Sequence, residues 1–273
     1  MNCYINLTMS KKGLSRNIID KFYTKDTVVT MCIEAIRQNL VIGDELVIEP
    51  SAGNGSFIRG IQSLSNHSIF YDLEPEHEDI VKQDYLQYKH QDTRKTHVVG
   101  NPPFGRQSSL AIKFIKHSCQ FCSSISFILP KSFKKDSLKK AFDLRFHLVY
   151  EMDLPDKSFL VDGKEHNVET VFQIWEKKDV KRDVVAMIEP LRFEFVKKTE
   201  NPDISFRRVG VNAGTIDTNI DKSIQSHYFI KFTNGKSIQH NIDSLKIQFN
   251  HNNTVGPRSI SKQELIKQFN LYI

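Results

Sequence analysis

Glu45-Leu46-Val47-Ile48-Glu49-Pro50-Ser51-Ala52-Gly53-Asn54-Gly55-Ser56 is a short apolar run that stops at an acidic residue and passes straight into a glycine-rich turn. An apolar run of this length bounded by turn formers reads as a buried strand, and residues 57–64 behind the turn read as a helix. The spacing departs from the dinucleotide fingerprint G-x-G-x-x-G. The physical ingredients are still those of a ligand-binding turn. Glycines let a ligand come close to the backbone, and the helix N-terminus that follows offers N–H groups to a carboxylate.

Outward from this turn the alternation of strand and helix continues. Residues 68–71, 80–81, 96–99, 124–129 and 147–154 read as further strands, and 27–39, 111–122 and 138–144 as helices. From 165 to 175 the pattern changes to strict alternation through Val168, Thr170, Phe172 and Ile174, which predicts an antiparallel strand closing the sheet. The expected fold is α/β: a Rossmann-like, mostly parallel seven-stranded sheet with helices on both faces.

The stretch Lys177-Lys178-Asp179-Val180-Lys181-Arg182-Asp183 reads as a boundary, dividing the chain into residues 1–180 and 181–273. Beyond it lie β-like runs at 226–232 and 245–249, turn signals at Asn234-Gly235 and Gly256-Pro257, and a closing helix from Ser261. These describe a small α+β appendage. The 273 residues carry a net charge of +6, and most of the surplus is in the appendage, which holds 14 Lys+Arg against 9 Asp+Glu. That bias is compatible with a polyanionic partner. Hydrophobic residues at 39%, with 19 Phe and 8 Tyr, exclude general disorder. No apolar stretch is long enough for a signal peptide core or a membrane span, so the expected compartment is intracellular. Of Cys3, Cys32, Cys119 and Cys122, only the last two form a C-x-x-C, and nothing beside it completes a zinc site. The cysteines read as ordinary reduced thiols and no metal is expected.

The residues with chemical character fall where the strands stop, which is where open α/β sheets bind ligands. Glu49 can hold an ammonium group, Asp72 can accept a pair of ribose hydroxyls, and Asp84 can accept an adenine amino group. Asn101-Pro102-Pro103-Phe104 follows the fourth strand. The Asn101 side-chain carbonyl and the Pro102 main-chain carbonyl can each accept one N–H of a planar amino group, turning its delocalised lone pair toward an electrophile. Pro103 stiffens the loop, and Phe104 can stack on the ring that bears the amino group.

With the turn, the strand-tip acids and the tetrapeptide in this order, the chain resembles the class I S-adenosylmethionine-dependent amino-methyltransferases of the N-P-P-F/Y type, adenine-N6 methyltransferases of nucleic acid. The resemblance covers roughly residues 15–178. It implies S-adenosyl-L-methionine as cofactor, held by Phe22, Tyr23, Thr24, Glu49, Pro50, Ala52, Gly53, Gly55, Asp72, Asp84 and Asn101. It implies a catalytic loop of Asn101, Pro102, Pro103 and Phe104, with Phe159 packing on the other face of a flipped base. The appendage, through Arg207 and Arg208, takes the place of a target-recognition region. Nucleic acid is then the partner, with DNA favoured over RNA. The final Phe of the tetrapeptide is compatible with both polymers. Methylation of glutamine side-chain amides and an inactive nucleic-acid-binding module stay open as alternatives.

Overall fold

The computed structural model describes residues 22–184, 186–245 and 259–273. Its first part runs β1 (Tyr23–Thr24), α1 (Asp26–Asn39), β2 (Leu46–Glu49), α2 (Ile58–Gln62), β3 (His67–Asp72), β4 (Ile80–Lys82), β5 (Thr96–Gly100), α3 (Ser109–Ser118), β6 (Ser124–Pro130), α4 (Asp136–Lys139), β7 (Phe146–Asp153), β8 (Phe159–Val161), β9 (Lys164–His166) and β10 (Thr170–Lys177). Seven strands make one Rossmann-like sheet in the order β4-β3-β2-β5-β6-β10-β7. The pairs from β4 through β6 are parallel, and β10 is antiparallel to both its neighbours.

The central strands are apolar throughout because both faces are covered; every residue of β2, β5 and β6 is buried. Val47, Val99, Ile128, Phe172 and Ile174 point to the face covered by α1 and α2, through Val29, Ile33, Ile36, Ile58 and Ile61. Leu46, Ile48, Val98, Ile125, Phe127 and Trp175 point to the other face, covered by Ala111, Phe114 and Ile115 of α3. Helix α1 forms because Val29, Cys32, Ile33 and Ile36 recur at helical spacing on its buried side, with Asp26 in its first turn and Arg37 in its last to match the helix dipole.

Two expectations are corrected. Residues 165–175 are not one strand, and the antiparallel strand does not close the sheet. Lys164–His166 pairs instead with β8 in a separate three-stranded sheet ordered β1-β8-β9, while β10 inserts between β6 and β7 and leaves β7 at the edge. The helix expected over 138–144 is a single turn. The Arg182 guanidinium takes the carbonyls of Lys139, Phe142, Asp143 and Phe146 at 2.6 to 3.1 Å, and so occupies acceptors that a longer helix would use. It also lies over the Trp175 ring at 5.3 Å, with Phe142 stacked on the same indole.

The appendage has its own core, built from β11 (Phe193–Phe195), β12 (Ile204–Arg207), β13 (Ile216–Asp217), β14 (His227–Phe232), α5 (Ile238–Ser244) and α6 (Lys262–Tyr272). Its sheet order is β11-β14-β12-β13. Ser261 and Glu264 form a reciprocal capping box that starts α6. Leu245, expected to open a strand, instead follows α5; residues 246–249, the Gly256-Pro257 turn and Cys3 lie outside the described residues. Lys135 fastens the appendage to the first sheet, donating to Ser259 O at 2.9 Å and pairing with Glu264 at 3.1 Å.

Arg182 gives the fold its first test. Arg182→Ala strips one donor from each of four carbonyls and is expected to cost about 2–4 kcal/mol in urea unfolding. Arg182→Lys should recover less than half of that, because an ammonium cannot span four carbonyls as a planar fork does. A midpoint unchanged in the alanine variant would contradict this account.

Candidate active site

Strand order reverses between β2 and β5, and ligands of open α/β sheets sit at the carboxyl ends of the strands at such a point. Glu49 ends β2 and Gly100 ends β5. Gly100 has φ +147°, and a Cβ there would lie 3.1 Å from Glu49 Cγ and 3.3 Å from its Oε1. Only glycine lets the Glu49 side chain lie across the end of the neighbouring strand. Glu49 is 2% exposed, and its Oε2 has no hydrogen-bond partner among the described residues. Burial, and then the charge of Asp72, push its carboxyl well above the usual carboxylate range.

The glycine turn is braced from β3. Asp72 accepts the Gly53 N–H on Oδ2 and the Glu74 N–H on Oδ1, both at 2.8 Å, and Ala52 N–H donates to Tyr71 O. Pro50 and Ala52 are buried beneath. The free donors expected of this turn are largely consumed internally. Gly53 N–H goes to Asp72, Gly55 N–H to Ala52 O, Ser56 N–H to the Asn54 side chain and Ile58 N–H to Gly55 O. Asp84 accepts the Leu86 N–H at 2.9 Å and starts a short 3-10 turn.

Asn101 follows Gly100 directly. Its Nδ2 donates to Phe22 O at 3.3 Å and to Thr24 Oγ1 at 3.4 Å. A main-chain carbonyl can only accept, so the amide orientation follows from its partners. The Oδ1 atom is thereby left buried without a donor among the described residues. Ser51 Oγ donates to Asn101 O at 3.2 Å, tying the two loops together. Pro102 is buried, Pro103 is exposed, and half-buried Phe104 packs against the cores of both sheet faces.

Phe22, Tyr23 and Thr24 form a strap over this centre. Tyr23 pairs with Leu160 and Thr24 with Phe159, while Lys25 N–H donates to Ser158 O and the Lys25 ammonium pairs with Glu165 at 2.6 Å. At the other side the Tyr23 hydroxyl donates to the Glu76 carboxylate at 2.7 Å, and its ring lies against Gly53. The structure therefore brings Phe22, Tyr23, Thr24, Glu49, Gly53, Asp72 and Asn101 into one connected set. The sequence reading missed Ser51 and Glu76, which sit in a turn and in an acid-rich run that resemble solvated loop.

Several other expectations change. Phe159 is 1% exposed and packs edge-on against Phe22, 6.2 Å between centroids, so its ring presents no open face to a base. It supports the strap instead. Arg207 and Arg208 do not stand free. Arg207 Nε donates to Val209 O, and Arg208 donates to Gln225 O and lies over Tyr228. Cys32, Cys119 and Cys122 are buried thiols, and burial pushes Cys119 up to about 11. Among the described residues no group of three or more His, Cys, Asp or Glu could hold a metal, and no helix is long and apolar enough to cross a membrane.

Two further polar features lie away from this connected set. Ser124, His97 and Glu45 form a hydrogen-bonded chain, but Ser124 and His97 are 1% and 2% exposed and lie at the amino end of the sheet. A groove of about 700 Å³ between α1 and α2 is lined by Asn54, Gly55 and Ser56 of the turn and by none of Glu49, Asp72 or Asn101.

No protein-family model matches the chain, and no curated protein does. Among solved structures, similarity is found to a provisionally assigned RNA methyltransferase of Pyrococcus horikoshii at 15% identity and TM-score 0.48, covering 61% of this chain and 92% of that one. The modification subunit of a provisionally assigned type I restriction enzyme from Vibrio vulnificus matches at 14% identity and TM-score 0.44, over 57% of this chain and 44% of its own. The 23S rRNA methyltransferase ErmE matches at 14% identity and TM-score 0.43, over 58% of this chain and 71% of its own.

The buried acid gives the site its test. Its folded pKa lies above its unfolded value, so between the two the native state binds more protons, and stability falls as pH rises through that window. Glu49→Gln removes this penalty. At pH 8 the variant should melt about 2–4 °C higher, for a gain of about 1 kcal/mol, and the gain should shrink toward pH 5. A lower melting temperature at pH 8, or a gain independent of pH, would contradict the reading.

Proposed function

We propose that the protein is an S-adenosyl-L-methionine-dependent methyltransferase that methylates N6 of adenine in nucleic acid, with DNA ahead of RNA. One observation carries the reading: Asn101 Oδ1, a buried acceptor of fixed orientation with no donor among the described residues, sits one residue beyond the glycine against which the side chain of Glu49 is packed, and the Oε2 of Glu49 is equally unsatisfied. Leaving such atoms unmet costs about 1–3 kcal/mol each, which donors on a bound cofactor and a bound substrate would recover.

The residues present fit the cofactor. Glu49 would take its ammonium, Asp72 its ribose hydroxyls and Asp84 its adenine amino group, with Pro50, Ala52, Gly53 and Gly55 giving close backbone approach. Phe22, Tyr23 and Thr24 would cover the methionine end. When bound, the cofactor supplies an electrophilic methyl group on a sulfonium. Asn101 Oδ1 and Pro102 O each accept one N–H of the substrate amino group and aim its lone pair. They are in place before charge develops at nitrogen, so no reorganisation is needed as it does. Phe104 holds the plane of the base, and Pro103 keeps the loop from collapsing onto its own acceptors. The proton of the methylated nitrogen leaves to water. The appendage over 181–273, a basic unit with its own sheet, is the candidate target-recognition part, and this basis puts DNA first.

Methyl transfer from labelled cofactor to DNA oligonucleotides, RNA oligonucleotides and a glutamine-bearing release factor tests the reading. The wild type should label adenine in nucleic acid. Asn101→Ala should lose about 10²–10³ in kcat, with a smaller loss of cofactor affinity because its amide also holds Phe22 and Thr24 of the strap. Full activity in the variant would remove Asn101 from the mechanism. Labelling of the release factor alone would move the activity to amides.

A further inference from the structure

From Asn101 to Lys135 the chain holds six Lys+Arg and no acidic residue, although a proportionate share of its 32 acids would be about four. Three of these cations are neutralised. Lys131 and Lys134 pair with Asp153, and Lys135 pairs with Glu264. Arg106, Lys113 and Lys116 are exposed and make no side-chain hydrogen bond or ion pair among the described residues. They follow one another from the catalytic loop along the outer side of α3. Lys113 and Lys116 are three residues apart and so share a helix face, and α3 advances about 1.5 Å per residue away from the loop.

The segment that carries Arg106 is rigidly built. Phe104 O accepts the Leu110 and Ala111 N–H groups, which folds the loop back onto the start of α3. Gly105, Gln107 and Ser108 all have left-handed backbone, with φ of +68°, +52° and +62°. A Cβ on Gly105 would lie 2.8 Å from Leu110 Cγ, so glycine is required there. Two non-glycine residues held in this region mark stored strain, which clusters where loops meet ligands. The backbone itself is not the anion ligand. The N–H groups of Ser109, Leu110 and Ala111 already bind carbonyls of Arg106 and Phe104. What the arch leaves free is the guanidinium at its crest, two residues beyond Phe104.

We propose that Arg106, Lys113 and Lys116 form a phosphate track that takes up the polynucleotide backbone next to the nucleotide in the catalytic loop. The track rests on the nucleic-acid reading above and adds where the strand runs: away from the loop along α3, rather than solely across the appendage. It also accounts for the missing acids, since a carboxylate beside the track would repel the phosphates.

The test uses the full chain without cofactor and fluorescein-labelled 20-nucleotide DNA and RNA, single-stranded and duplex, followed by anisotropy across a salt series. Arg106→Ala/Lys113→Ala/Lys116→Ala should weaken binding tenfold or more. It should also lower the slope of log affinity against log salt by about 2–3, as expected for three lost phosphate contacts. Lys95→Ala/Lys140→Ala/Lys178→Ala removes the same number of positive charges from exposed positions outside both the loop and the appendage and should leave both values near wild type. Equal losses in the two triple variants, wild-type binding by the track variant, or no oligonucleotide binding by the wild type would each overturn the track. Methylation by a wild type whose track variant binds normally would sink the track and leave the enzyme reading standing. Track-dependent binding without methylation of any adenine would do the reverse.

Discussion

The close passage of Glu49 over Gly100 is the contact on which the rest of the site depends. It joins the ends of the two strands where the order of the sheet reverses, and it exists because residue 100 has no Cβ. Asn101 begins at the place this contact defines. Its amide holds Phe22 O and Thr24 Oγ1, and the strand bearing them holds β8. A methyl group at position 100 would therefore be felt as far as Phe159, through backbone and hydrogen bonds alone. The rigid centre makes this transmission possible, because β2 and β5 are buried along their whole length and cannot yield locally.

The energetics follow from the same arrangement. Most buried polar atoms find partners, yet Glu49 Oε2 and Asn101 Oδ1, at the ends of neighbouring strands, have none among the described residues. A doubly covered sheet with aliphatic and aromatic cores on each face tolerates that cost, since each fully buried large side chain contributes about 1.5–3 kcal/mol. Acceptors held dry and fixed are poor for stability and good for gripping donors. The pairing of a stable sheet with unsatisfied tips is the usual physical signature of a site rather than of faulty packing.

How much of this was legible in the sequence depended on whether the deciding contact was local. The strand ends at Glu49, Asp72 and Gly100 are local events, marked by acids and glycines after apolar runs, and they fall where expected. Phe22-Tyr23-Thr24 was singled out only through the family resemblance, and its contacts with Asn101 and β8 have no sequence signal of their own. What was not legible came from partners distant in the chain. Arg182 cuts short the helix expected over 138–144 from some forty residues away, and no periodicity encodes that. The alternation through 165–175 is real, but residues 167–169 separate two strands that belong to different sheets. Phe159 is buried by β1 and Phe22, from the opposite end of the domain. Arg207 and Arg208 read as free cations because their acceptors are main-chain carbonyls, which have no sequence signal.

The two-residue strand β1 has a further meaning. It pairs with β8 through only two residue positions, aided by the Lys25 and Tyr23 side-chain contacts at either end. In physical terms it is an intramolecular ligand of the β8–β9 hairpin, present at a high effective concentration because α1 tethers it. The ratio of that effective concentration to the dissociation constant of the contact sets the fraction of time for which the strap lies closed over Glu49 and Asn101. The grip of this short segment rests on a few contacts outside the seven-stranded sheet, and changing them leaves the core of that sheet intact.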